Sequence, residues 1–334
     1  MFYLNLYNTP SLVSSILLLL LGIFVLMKNK KSLSNFLFFL ICLCTISWQF
    51  SFFLLFNTSS ESMANILVML CYMGIILLPV LFLHFIVLFT KGPSGISRFD
   101  KYFLYFSYLS VIIFEILLFK TNYFIDGYHE YYWGFYPAAG ITHPIFLFIL
   151  IASVVRMIYL LYSKLKDRSI PGFRHYQFKY FLIALIFYSC SSIDFLGNYG
   201  VEFYSLGFGF ILIFLGIIAY AIVSYRLMDI KLALRKSSVY LTSLLLTITP
   251  PVILKYVALR YFPQFSFWPD VILMIIAISI FPILRKHVYR FANKYLFSSL
   301  YDVKEVIANL SDKLSTTLEA KKIYSFVSKS LMGA

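Results

Sequence analysis

Few residues in this sequence are equipped for chemistry, and most of those stand inside long apolar runs. Glu115 lies five residues before Lys120, and Asp194 lies eight before Glu202, each close to the end of such a run. In helices rising ~1.5 Å per residue, both carboxyls fall in the same outer third of a bilayer. Gln49 comes at a comparable level, and Tyr131, Trp133 and Tyr136 belong to an aromatic-rich stretch, 120–142, that can close over all three. Carboxyls under an aromatic lid combine apolar contact with a few directed hydrogen bonds, the make-up of a small-molecule pocket. The alternative is that each carboxyl is protonated or bonded to neighbouring hydroxyls and ties helices together. The aromatic stretch has two readings as well, a belt at the lipid headgroups or a ligand-contacting cap. At the other end of the runs, His84 is seven residues before Lys91 and Arg156 eight before Lys164, so they too match in depth. They form either a charge-linked relay or a snorkelling arginine and a histidine bonded within the bundle. Pro79 is placed to kink the chain just above His84.

Other chemistries are absent from the pattern. No glycine-rich phosphate loop, HExxH, GxSxG or CxxC occurs, and the five histidines lack metal-ligand spacing. The four cysteines, Cys42, Cys44, Cys71 and Cys190, all fall in apolar runs, and Cys42 and Cys44 point away from each other on a helix. We therefore expect no disulfide, no metal, no cofactor and no catalytic residue. Lys255 is the one lysine late in the apolar runs, and it stands at the very end of its run, which argues against a retinal-type photoreceptor.

The elements that carry these residues follow from composition. Of 334 residues, 61% are hydrophobic and 13% charged, with a mean hydropathy of +0.86. A soluble domain keeps about a quarter of its residues charged, so the solvent here is lipid. Nine windows meet the length of a membrane helix: 11–27, 34–56, 64–90, 102–119, 145–162, 180–196, 203–223, 238–257 and 268–284. The eighth is the weakest, because Pro250 and Pro251 remove two backbone donors, and a re-entrant hairpin is its alternative. The first is not a cleaved signal, since its basic residues Lys28, Lys30 and Lys31 follow the apolar run. Basic residues crowd one side of the spans, leaving Lys120, Lys255 and Arg260 opposite. By the positive-inside rule the N-terminus is outside and the C-terminus cytoplasmic. The net charge of +14 is then a topology signal and not a nucleic-acid footprint. The fold class expected is all-α, a multi-pass protein of the plasma membrane.

Beyond the ninth window the composition turns mixed and polar. Val303, Ile307, Leu310 and Leu314 form one stripe, the seam of a short coiled coil. Thr316 and Glu319 fit a capping box that starts a second helix with Ile323, Phe326, Val327 and Leu331 on one face. That face needs covering, either by a second copy of the chain or by a further domain.

Several segments taken together resemble the N-terminal seven-helix sensor region of bacterial membrane histidine kinases. They are FLHFIVLFT at 82–90, YYWGFYPAAG at 131–140, RHYQFKY at 174–180, DFLGNYGVEFYSLG at 194–207 and, most specific, YAIVSYRLMDIKLALRKSSVYL at 220–241. The resemblance implies a sensor over 1–226, a linker with two further spans over 227–297, and a signalling helix with the start of a GAF, PAS or dimerisation-like domain over 298–334. It implies a receptor that passes an outer or membrane signal through Arg226 and Asp229 to the tail seam at Ile307 and Leu310. The implied partners are a second copy bound through the tail, the lipid bilayer, and a response regulator reached through kinase domains. This chain carries neither the phosphoacceptor nor the ATP-binding domain, and His287 lacks the acidic residue that usually follows a phosphoacceptor. The competing reading is a small-solute transporter, which calls for repeated helix bundles that the sequence does not show.

Overall fold

In the computed structural model, residues 7–167, 169–225, 227, 279, 281–288 and 290 are described. Seven helices form over the first seven apolar windows: α1 Thr9–Lys28, α2 Leu33–Leu55, α3 Glu61–Lys91, α4 Arg98–Lys120, α5 His143–Lys166, α6 Gly172–Cys190 and α7 Gly207–Tyr225. Their starts are set by local chemistry. The hydroxyls of Ser32, Ser60 and Ser97 accept the backbone N–H of Asn35, Met63 and Asp100, which satisfies donors that a helix start leaves unpaired. Proline occupies the first turn of α1 and of α5, where its missing N–H costs nothing. Among the described residues six helices, the sixth continuing through the 3₁₀ segment Ser191–Tyr199, are long and apolar enough to cross a membrane, and Gly207–Ile222 is a shorter apolar helix. The eighth window lies outside the described residues, as do most of the ninth and the whole of the expected coiled-coil tail.

The helices close into a ring in which α1 packs on α2, α2 on α3, α3 on α5, α5 on α6, α6 on α7 and α7 on α1, with α4 applied to α3. An aromatic stack fills the middle. Phe82, Phe85 and Phe89 on α3 meet Tyr188, Phe181 and Phe178 on α6 at ring separations of 4.6, 5.0 and 5.1 Å. Outward faces stay apolar: Ile112 and Ile116 on α4 and Phe148, Ile151 and Val155 on α5 are all exposed. Such broad apolar surface is stable only in hydrocarbon.

The sequence reading missed one element. Within 120–142 lies an antiparallel hairpin, β1 Ile125–Tyr131 and β2 Gly134–Ala139, pairing His129 with Tyr136 and Glu130 with Phe135. Its register shifts between Ile125 and Tyr128, where Gly127 adopts φ 77°, the positive φ of a glycine bulge. Trp133 and Tyr136 are 3% and 0% exposed. These two rings therefore belong to a packed cap and not to a headgroup belt.

Candidate functional site

Asp194 sits in the Ser191–Tyr199 segment, directly below the hairpin, and is 2% exposed. Ser205 Oγ donates to its Oδ2 at 2.6 Å, and the Gly207 N–H donates to its Oδ1 at 2.8 Å. The carboxyl group thus caps α7, taking up a donor that the helix start leaves unpaired. A Cβ on residue 207 would fall on that carboxyl group, so the cap requires glycine there.

The hairpin is fastened to the same segment by three side chains. Tyr136 OH donates to the Asp194 carbonyl at 2.6 Å, Tyr131 OH to the Gly197 carbonyl at 2.8 Å, and His129 Nε2 to the Asn198 carbonyl at 3.2 Å. Burial pushes the Tyr136 phenol well above its ordinary range, so it stays a donor. A Cβ on residue 197 would lie 2.7 Å from the Tyr136 ring. Gly197→Ala is therefore expected to lift the hairpin off the segment, read as at least tenfold faster amide hydrogen exchange over 125–139. Tyr136→Phe, which removes one hydrogen bond worth about 1 kcal/mol, should give a smaller acceleration of the same amides. Unchanged exchange in both would show that the hairpin is held elsewhere.

Behind this lid is a network that the sequence reading did not assemble. His143, the first residue of α5, is fully buried. Its Nε2 shares a hydrogen bond of 2.9 Å with Tyr72 OH and its Nδ1 one of 2.8 Å with Tyr199 OH, while Asn198 Nδ2 donates to Tyr72 OH. The depth matching that grouped Asp194 with Glu115 would have grouped His143 with Asn198, had it been extended to helix ends.

Of the outer residues expected to converge, Asp194, Tyr131, Trp133 and Tyr136 are brought together around the lid. Trp133 packs on Tyr131 and Tyr132 at 4.9 and 4.5 Å, and its indole N–H has no hydrogen-bond partner among the described residues. Glu115 and Gln49 do not join them by any hydrogen bond: both oxygens of Glu115 and both amide atoms of Gln49 are buried without one among the described residues.

At the opposite end of the bundle, His84 Nδ1 bonds to Tyr108 OH at 2.8 Å, and Arg156 binds elsewhere. The Arg156 Nε and Nη2 donate to Asp100 Oδ1 at 3.0 and 2.7 Å, and its guanidinium lies over the rings of Phe99 and Tyr159. Lys91 Nζ and Ser97 Oγ bind the other oxygen of Asp100. One carboxylate in the first turn of α4 thereby ties the end of α3 to the middle of α5. The sequence reading named Arg156 and missed Asp100, which stands among the basic residues Arg98 and Lys101 and reads as a loop acid.

A family model described as the N-terminal 7TM region of histidine kinase matches residues 10–231, from the first turn of α1 to just beyond α7. The chain belongs to this family. No curated protein and no solved structure matches it. In this 7TM region the lid is a cap on the helix bundle, attached through Asp194 to the first turn of its seventh helix. Arg226, Asp229, Ile307 and Leu310, expected to transmit a signal onward, lie outside the described residues.

Proposed function

We propose that this 7TM region receives a signal at the hairpin end of its bundle or within the bilayer and relays it to a cytoplasmic output domain. The observation that carries this reading is the bonded path from Tyr136 through Asp194 to Ser205 and Gly207. It makes the lid and the start of α7 a single mechanical unit, so a molecule that moves the lid also moves the helix leading toward Arg226 and Asp229. On this reading the chain continues through two further spans to a tail that pairs with a second copy, and the output is histidine phosphorylation read by a response regulator. Charge placement supports an N-terminus outside and a C-terminus inside. The family match favours this receptor over a solute transporter.

The topology half is tested by cysteine accessibility in intact cells, with the four native cysteines replaced. A cysteine at Tyr132, 70% exposed at the hairpin tip, should react with an impermeant maleimide, and one at His175 should react only after permeabilisation. Labelling at position 175 from outside would reverse the orientation. The relay half is tested by crosslinking between tails: a charge introduced at Ile307 or Leu310 should abolish crosslinks at a seam, because burying an unpaired charge costs several kcal/mol. Unchanged crosslinking would remove the seam from the scheme.

A further inference from the structure

A cavity of about 60 Å³ opens inside the bundle between α3, α5 and α6, with Trp48 of α2 in its wall. We propose that it binds a small, uncharged, lipid-soluble molecule carrying a hydrogen-bond acceptor, such as a ketone or ester, which enters from the bilayer between α5 and α6. This inference rests on the sensor reading above and supplies the chemical class of its ligand.

The lining decides that class. One water needs roughly 10–15 Å³ of such space and two to four polar partners, so the cavity has the size of several waters without the groups to hold them. Its hydroxyls spend their protons on the protein: Ser189 Oγ donates to the Leu185 carbonyl, Ser191 Oγ to Tyr188 and Ser192 Oγ to Ser189. Tyr188 OH is engaged with Thr45 Oγ1 at 2.7 Å. Among the lining side chains, the Trp48 indole N–H is left as the donor without a partner among the described residues, on a residue only 4% exposed. A buried donor that is left unmade is costly, and in apolar walls it selects an acceptor over plain hydrocarbon. No charged side chain lines the cavity, which disfavours an ionised ligand.

The approach lies on the lipid side. Val154 on α5 and Ser189 on α6, both in the wall, are partly exposed, and Ile151, Val155 and Ile186 near them in sequence are exposed. An alkyl tail can therefore trail into the hydrocarbon while its carbonyl reaches Trp48, whose enclosed indole N–H is presented to the cavity by a small turn of the ring on binding. Trp48, Ile75 and Phe195 also line a second, narrow pocket together with Tyr72, Phe52, Tyr136, Asp194 and Asn198. A ligand on Trp48 consequently presses on the underside of the lid network, one side chain from the cap of α7.

The test uses the chain in lipid nanodiscs with a photoactivatable long-chain ketone bearing a diazirine, followed by digestion and mass spectrometry. Saturable labelling is expected in the segments around Val154 and Ser189. At equal concentration in the bilayer, methyl hexyl ketone should compete about tenfold better than octane, the ratio that one net hydrogen bond supplies. Trp48→Phe keeps an aromatic ring and removes the N–H, so the ketone should lose that advantage, and Val154→Trp should fill the space and end the labelling. The competition on the unaltered chain needs no variant to fold. Equal competition by octane, label spread without saturation over the lipid-facing surface, or an undiminished ketone preference in Trp48→Phe would each overturn the proposal. With the chain joined to a kinase output module, binding of the ketone without any change in output would reject the sensor reading and leave the site standing. Output that responds to the ketone without labelling at the cavity would reject the site alone.

Discussion

Asp100→Ala is expected to lower the stability of the bundle by about 3 kcal/mol, the low end of the cost of breaking a buried ion pair. The Asp100 side chain is fully buried, while those of Lys91 and Arg156 are 22% and 21% exposed. Removing the carboxylate strands two cations, which can recover part of their solvation by reaching toward headgroups. Removing a cation strands the buried anion instead. Arg156→Ala should cost more than Lys91→Ala, because the guanidinium binds through two nitrogens and covers Phe99 and Tyr159. The double variant Asp100→Ala with Arg156→Ala should lose less than the sum of the single losses, since the two groups share one interaction. Denaturation of the chain in mixed detergent micelles, followed by circular dichroism, measures all four. A loss within 1 kcal/mol of the parent for Asp100→Ala, the scale of an exposed pair, would show that the cluster does not hold α3, α4 and α5 together.

Asp194→Ala is expected to detach the first turn of α7 from the lid, at a cost of about 2 kcal/mol for the donors it leaves unpaired. Ser205 Oγ–H and the Gly207 N–H lose the carboxylate that accepts them. Asp194→Asn behaves differently. Its amide oxygen can accept the Gly207 N–H and its NH₂ can donate to the Ser205 hydroxyl, so stability should stay within about 1 kcal/mol of the parent. Gly207→Ala should resemble Asp194→Ala, because its methyl group takes the space of the carboxyl. Amide exchange over 205–212 reads the local event, expected to rise at least tenfold in Asp194→Ala and Gly207→Ala and little in Asp194→Asn. Reporter output from the chain joined to a kinase module reads the proposed relay, expected to lock in the two disruptive variants. Faster exchange with unchanged output would show that the cap is structural and that the signal takes another path.

The contrast between Asp194 and Glu115 shows how far the sequence reaches. Both carboxyls were placed at one depth by counting residues from the ends of apolar runs, and run length is a local property that the thickness of hydrocarbon turns into a span. For the same reason the first seven windows fall on α1 to α7. Depth says nothing about direction around the helix axis. In a water-soluble helix an apolar stripe marks the inner face, but these helices are apolar on nearly every side because lipid and neighbour are alike. Whether Glu115 faces Asp194, or Arg156 faces His84, was therefore not written in either run alone. It depended on the rotation of each helix against its neighbours, which is settled by close packing and by polar groups finding partners.

The lid has the same lesson on the scale of one loop. Tyr131, Trp133 and Tyr136 could be named from composition, since an aromatic-rich stretch between two spans suggests either a belt or a cap. Choosing the cap required β1 to pair with β2 and three side chains to reach the carbonyls of Asp194, Gly197 and Asn198, some sixty residues away. The sequence by itself determined that this is a membrane bundle and which of its apolar runs become the first seven helices. The packing of the chain determined which of its polar residues meet, placing Asp100 between Lys91 and Arg156 and leaving the Trp48 N–H, on a residue that lines a cavity, without a partner among the described residues. The physical reason is that a span comes from the local match between apolar length and bilayer, whereas partnership comes from contacts between residues far apart in the chain.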